Sequence, residues 1–190
     1  MLTFLLFAML AYGAGSINFA ILFFRLFKKG DPRDRYSGNP GVTNVYRQSG
    51  WAMAALILLL DMGRSAAIAW LALRFFTPPL VVWSGLALLT GNRYPCFHDF
   101  KGGKGVANYL GFSIIIVPMG VMVSCLAWVV TYRLLRHPFM ASFFMVAVLS
   151  GATILKWADS PWAVSGAVVT ALFIVINHRS NIAGLFTSAD

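Results

Sequence analysis

Residues 105–134 read GVANYLGFSIIIVPMGVMVSCLAWVVTYRL, an apolar stretch whose only charged residue is Arg133. A transmembrane helix needs about 20 apolar residues. The stretch is therefore either two short spans meeting at Pro118 or one long span kinked there, where proline removes a helix N–H. The choice decides the topology, because it sets the side of the membrane on which every later segment emerges.

Working outward, apolar runs place further spans near residues 2–26, 51–76, 79–95, 139–156 and 161–178, and dividing the first stretch gives 105–118 and 119–134. The first run has no basic residue before it and ends among Arg25, Lys28 and Lys29, which puts Met1 outside and Lys28 in the cytoplasm. Ala14, Gly15 and Ser16 resemble a cleavage site, but the missing basic n-region and the apolar continuation to Phe24 favour a retained span. With seven spans, twelve Lys and Arg residues face the cytoplasm and two, Arg74 and Lys156, lie outside; with six the division is ten to four. The stronger bias selects seven. The expected fold class is all-α: a polytopic integral membrane protein of about seven transmembrane helices forming one domain over 1–190, with the C-terminus cytoplasmic.

Composition agrees, since 59% of residues are hydrophobic, 11% are charged and the mean hydropathy is +0.75. A chain of 190 residues filled with spans leaves no room for a separate soluble domain, so chemistry belongs to loops and helix ends. The formal charge of +9 is spread between spans, not gathered in a block, which the cytoplasmic bias explains without nucleic acid. Cys96 and Cys125 have neither C-x-x-C spacing nor a histidine cluster, so reduced, structural thiols are expected and no metal or other cofactor.

Three polar clusters interrupt this apolar background, and with seven spans all three face the cytoplasm. The first is Ser37-Gly38-Asn39-Pro40-Gly41-Val42-Thr43-Asn44-Val45-Tyr46-Arg47. Gly38 and Gly41 permit positive φ, and successive N–H groups in such a turn form an anion nest. Asn39, Thr43 and Asn44 add neutral donors, and Arg47, in the first turn of a helix opening near Gly50, offers a bidentate phosphate grip. An ordinary capped loop has a similar composition. The second cluster, Phe100-Lys101-Gly102-Gly103-Lys104-Gly105, leads into the apolar run at Val106 and so sits at a helix N-terminus, a natural anion site. It is not a Walker A loop, since no Ser or Thr follows Lys104. The third, Asn177-His178-Arg179-Ser180-Asn181-Ile182, closes the last run.

Asp61 lies deep within the second span, where a carboxylate needs a partner. Arg64, three residues on, offers a local ion pair, and a lysine of the second cluster offers a functional one. The other acids, Asp31, Asp34, Asp99, Asp159 and Asp190, sit in loops or at the terminus, and no pair is placed for two-acid catalysis. Cations and amide donors gathered on one face suit a phosphorylated substrate, and the surrounding spans suit an acyl chain.

These residues resemble the acyl-phosphate:glycerol-3-phosphate acyltransferases of bacteria, the PlsY family. The likeness covers nearly the whole chain: G-S-I at residues 15–17, S-G-N-x-G-x-T-N-V-x-R at 37–47, L-L-L-D ending at Asp61, F-K-G-G-K-G-V-A at 100–107 and H-x-x-N-I at 178–182. It implies transfer of a fatty acyl group from acyl phosphate to the 1-hydroxyl of glycerol 3-phosphate, giving lysophosphatidate and phosphate in phospholipid synthesis. It also implies a cell inner membrane location, a cytoplasmic active site and a partner enzyme that makes acyl phosphate. By match of motif, Ser37, Arg47, Lys104, His178 and Asn181 are the catalytic residues. Gly38, Asn39, Gly41, Thr43, Asn44, Lys101, Gly102 and Gly103 hold phosphates.

The H-x-x-x-x-D dyad of soluble-donor glycerolipid acyltransferases is absent, since Gly103, Ser142 and Ala183 stand five residues after His98, His137 and His178. Either His178 or a substrate phosphate is then the base. The chain also departs from the family: Asn92 replaces a histidine, Gly184 an arginine, Asn18 a proline, Tyr36 a glycine and Asn108 a threonine. A paralogue acylating another polar acceptor is therefore the alternative. An anion or lipid transporter would call for ionisable residues along the spans and a repeat, and only Asp61 and Arg64 are present.

Overall fold

The computed structural model describes residues 1–187, with side chains through 185; Asp190 lies outside the described residues. These form nine α-helices and one 3-10 turn, Pro32–Asp34. The helices are α1 (Leu2–Ser16), α2 (Phe19–Leu26), α3 (Val42–Phe75), α4 (Pro78–Arg93), α5 (Val106–Ile116), α6 (Pro118–Leu135), α7 (Pro138–Lys156), α8 (Pro161–Asn177) and α9 (Arg179–Thr187). Four of them open on proline, at Pro78, Pro118, Pro138 and Pro161. At that position the missing N–H costs no hydrogen bond and the fixed φ already suits the helix.

Three helices, α3, α6 and α7, are long and apolar enough to cross a membrane, and the number rises to five if two bent pairs count as one span each. The first bent pair is α1 with α2, turned by 41°. The break falls at Ile17 and Asn18, where Asn18 Oδ1 caps α2 by accepting from Ile21 N at 3.0 Å. The second is α8 with α9, turned by 54° at His178.

Residues 105–134 form two helices with Val117 as their shared boundary. Val106 near the start of α5 and Tyr132 near the end of α6 line the same cavity, so the chain folds back at Pro118 and is not one kinked rod. With 11 residues, α5 is only about 16 Å long, roughly half the hydrocarbon core. Seven of its residues are buried, among them Tyr109, Leu110, Phe112 and Ile116. An apolar helix without a polar face is stable only when surrounded, and α3, α4, α6 and α7 all pack against α5. In α6 the pattern is inverted: Ser124 and Thr131 are buried while Met119, Met122, Leu126 and Leu134 are exposed. Small polar residues facing the bundle and apolar ones facing outward are what packing in lipid selects.

Close backbone approach fixes the α1–α4 contact. A Cβ on Gly15 would meet the Leu88 carbonyl oxygen, and one on Gly91 would meet that of Tyr12. Matching 15 with 88 and 12 with 91 makes the two helices antiparallel. Ser16 Oγ then accepts from Cys96 N at 3.4 Å, tying the first helix to the loop after α4. Cys96 and Cys125, expected to be reduced and structural, are free thiols, and both are exposed.

The Asp61 question resolves locally. Asp61 Oδ1 accepts from Arg64 Nη2 at 2.9 Å, and no lysine is involved. The same guanidinium donates to Asn108 Oδ1 and to the Ile17 carbonyl, the acceptor exposed where the first span breaks. A broken helix inside a bilayer needs such a donor, because no water is there to supply one.

Candidate active site

The first polar loop is held from three sides. Asn44 Nδ2 donates to the carbonyls of Pro32 (2.8 Å) and Arg35 (3.2 Å), Gln48 Nε2 donates to Pro32 O at 2.9 Å, and Asn18 Nδ2 donates to Pro40 O at 3.4 Å. Of the two glycines expected to take positive φ, Gly38 does so at 63°, whereas Gly41 has φ −111° and is the N-cap of α3. The helix thus opens at Val42, not near Gly50, and Arg47 falls in its second turn. Gly50 is instead a kink, with φ 79°, between the polar 42–49 turns and the apolar remainder. The Asn44 amide was expected to be a phosphate donor; it is committed to loop carbonyls and shapes the cradle.

The second loop is built on the end of α4. Gly103 N donates to Asn92 O (3.0 Å) and Gly102 N to Arg93 O (3.1 Å), and a Cβ on Gly102 would strike the Asn92 carbonyl oxygen. Arg33 joins this loop to the first: its Nη1 donates to the carbonyls of His98 (3.0 Å) and Lys101 (3.2 Å) while its Nη2 meets Asp31 Oδ2 at 2.6 Å. That guanidinium holds the Asp31 carboxyl below its ordinary range. In the third cluster, the buried His178 places Nδ1 2.8 Å from Ile174 O. In the neutral ring this assigns the proton to Nδ1 and leaves Nε2 as an acceptor. Lys104 Nζ donates to Asn181 Oδ1, which links the second and third clusters.

Two adjoining cavities result. A polar one of about 570 Å³ is lined by Ser37, Gly38, Asn39, Arg93, Lys101, Gly102, Lys104 and Arg179, with Asp31, Arg33, Asp34 and Asp99 at its wall. A larger, mainly apolar groove of about 950 Å³ carries Gly41, Thr43, Asn44, Arg47, Gly103, His178 and Asn181 at its polar end. It continues past Trp51, Leu58, Trp128 and Met145 to Asp61. All thirteen residues singled out from the sequence line one cavity or the other. Ser37, Asn39 and Lys104 line both. The groove's aromatic wall and the Arg33 tie were not foreseen as parts of the site, since isolated Trp, Tyr and Arg residues form no motif, whereas Arg93, which the sequence offers in place of the arginine missing at Gly184, does line the polar cavity.

The electrostatics favour an anion where the cavities meet. The N-termini of α3 and α5 both open at the groove, at Gly41 and at Gly105 with φ 94°, and neither is capped by a side chain. Their free N–H groups and positive dipole ends attract negative charge. Burial, with Arg93 nearby, lowers the Lys104 ammonium to about 8, so it is largely charged at neutral pH. The polar cavity has the size and charge to suit a small phosphorylated molecule and the apolar groove an acyl chain, and the two share Ser37, Asn39 and Lys104.

Comparison with known proteins gives a consistent picture. Residues 5–188 match the family model described as glycerol-3-phosphate acyltransferase. The chain is 38% identical over 189 residues to the glycerol-3-phosphate acyltransferase of Pseudomonas paraeruginosa, covering 97% of each. It is 38% identical over 186 residues to that of Methylobacillus flagellatus, covering 97% of this chain and 94% of the relative. Among solved structures, it resembles the glycerol 3-phosphate form of PlsY (YgiH), an integral membrane glycerol 3-phosphate acyltransferase, with TM-score 0.90 and 31% identity over 99% of this chain and 94% of that one. The lysophosphatidic acid form of PlsY gives TM-score 0.87 and 30% identity.

Proposed function

The chain belongs to the glycerol-3-phosphate acyltransferase family, and from that premise we propose that it transfers a fatty acyl group from acyl phosphate to the 1-hydroxyl of glycerol 3-phosphate. The products are lysophosphatidate and inorganic phosphate, as the first acylation of phospholipid synthesis. The observation that carries this reading is the shared wall: Ser37, Asn39 and Lys104 border both the polar cavity and the apolar groove.

In this reading the acyl chain of the donor lies in the groove and its phosphate lies at the wall, beside the α3 N-terminus and Arg47, with Lys104 between it and the acceptor's phosphate. The acceptor enters the polar cavity. Its hydroxyl oxygen attacks the acyl carbon, the bond from that carbon to the phosphate oxygen breaks, and the hydroxyl proton passes to the departing phosphate. Phosphate is already a good leaving group, so the protein mainly orients the reactants and stabilises charge. His178 positions the reactants through Nε2, and the substrate phosphate is the base. Seven spans, a cytoplasmic site in the inner membrane and a partner enzyme supplying acyl phosphate complete the reading.

The test is release of phosphate and lysophosphatidate by the purified protein given palmitoyl phosphate and glycerol 3-phosphate, beside a Lys104→Ala variant. Turnover that the variant abolishes supports the reading. A folded protein without turnover overturns it and directs the search to another polar acceptor, with Asn92 and Gly184 as the first positions to revert. A His178→Gln variant that retains most of its kcat supports the phosphate as base, while a loss beyond about 10²-fold assigns that role to His178.

A further inference from the structure

The cations of the polar cavity are not equivalent. Arg33 is bonded to Asp31 and lies 3.6 Å from Asp99, so its charge is answered within the protein. Lys101 and Arg179 are exposed at the rim. Arg93 and Lys104 remain as the two partly buried cations with no carboxylate partner among the described residues. Lys104 is held by Asn181. Arg93 has only a long contact from Nη1 to Gly102 O at 3.5 Å, and its Nε is buried with no hydrogen-bond partner. The Tyr94 ring, 5.4 Å from its Cζ, steadies the guanidinium plane. Of the acids at this cavity, Asp31 and Asp99 face Arg33, which leaves Asp34 as the one outside an ion pair among the described residues.

Position separates the two phosphates of the reaction. The donor's phosphate is bonded to the reacting carbonyl and must lie at the shared wall. The acceptor's phosphate is two carbons away from its reacting hydroxyl-bearing carbon and so lies deeper in the polar cavity. Arg93 lines that cavity and not the groove. We propose that Arg93 is the residue that grips the acceptor's phosphate and so selects a phosphorylated acceptor over a neutral one. This rests on the acyltransferase reading given above. The planar fork of arginine donates two parallel hydrogen bonds to a phosphate, and a dianion between Arg93 and Lys104 relieves the repulsion by which Arg93 contributes to the lowered Lys104 ammonium. The one arginine of the motifs quoted above, Arg47, lines the groove and not the polar cavity, whereas Arg93 lies outside those motifs.

Steady-state kinetics of the purified protein, with Arg93→Gln and Arg93→Lys, test this. Each substrate, glycerol 3-phosphate and palmitoyl phosphate, is varied while the other is saturating. Arg93→Gln is expected to raise the KM for glycerol 3-phosphate about tenfold or more, the scale of one charge-assisted contact. The KM for palmitoyl phosphate stays unchanged and shows that the variant is folded, and Arg93→Lys falls between. An unchanged KM for glycerol 3-phosphate, or an equal rise for both substrates, overturns the proposal. Thermal stabilisation by glycerol 3-phosphate, measured on the same proteins, reads binding without turnover. An inactive wild type that is still stabilised, with the shift lost in Arg93→Gln, would overturn the acyltransferase reading and uphold the Arg93 site. Equal stabilisation of wild type and Arg93→Gln would overturn the site.

Discussion

Lys104 Nζ donates to Asn181 Oδ1, bringing together residues 77 apart in sequence. The contact fixes the ammonium on the wall shared by the two cavities, and it does so with a neutral acceptor, which leaves the positive charge available to an anion.

Asn181→Ala is therefore expected to lower kcat/KM by about 10- to 100-fold through loss of a charge-assisted hydrogen bond. Asn181→Asp keeps the position but neutralises the ammonium, so it is expected to raise the KM for glycerol 3-phosphate and not to rescue activity. The two variants assayed side by side separate placement from charge.

Acceptor affinity is expected to fall in alkali. Lys104 loses its proton near pH 8 because burial, and secondarily Arg93, lowers its affinity for it. The attraction for phosphate is present below that pH and lost above it. The KM for glycerol 3-phosphate should climb above pH 8, approaching tenfold per pH unit. In Lys104→Arg, which stays charged, the KM profile should be flat over the same range.

Removing one member of the buried Asp61–Arg64 pair, whose atoms lie 2.9 Å apart, leaves an uncompensated charge inside the bundle. Asp61→Leu should cost about 3–5 kcal/mol, read as a lowered Tm in detergent. The double variant with Arg64→Leu should recover part of this loss. It cannot recover all, because the Ile17 carbonyl then loses its donor, while Asn108 Oδ1 keeps only Ser65 Oγ at 2.9 Å.

Tyr36 holds φ 54° on an exposed side chain. That backbone region disfavours a residue with a Cβ. Tyr36→Gly should raise stability by up to about 1 kcal/mol, reversing the usual sign of a glycine substitution. An unchanged or lowered Tm would show that the tyrosine ring makes a compensating contact.

Much of the chain was legible beforehand. The spans expected from apolar runs near 79, 119, 139 and 161 begin within one residue of α4, α6, α7 and α8, each of which opens on a proline, a residue tolerated in the first turn and disfavoured further in. The three polar clusters were marked because polar residues and glycines are rare between apolar runs. Other features were not legible. The start of α3 at Val42 was hidden by Gly50, which reads as a helix boundary and is in fact a kink inside a longer helix. The break at Ile17 was hidden because its carbonyl is answered by Arg64, 47 residues away.

The sequence by itself determined that this is an all-helical membrane protein with three polar clusters between its apolar runs, because hydropathy and the spacing of polar and glycine residues act locally. Only the tertiary structure decided that α5 is a short helix enclosed by its neighbours while α6 faces outward, since lipid and protein core accept the same apolar side chains. It alone paired Asp61 with Arg64, placed Ser37, Asn39 and Lys104 on one wall, and set Arg93 in the polar cavity. Those are relations between distant segments, fixed by packing and by hydrogen bonds that must be satisfied wherever water is absent.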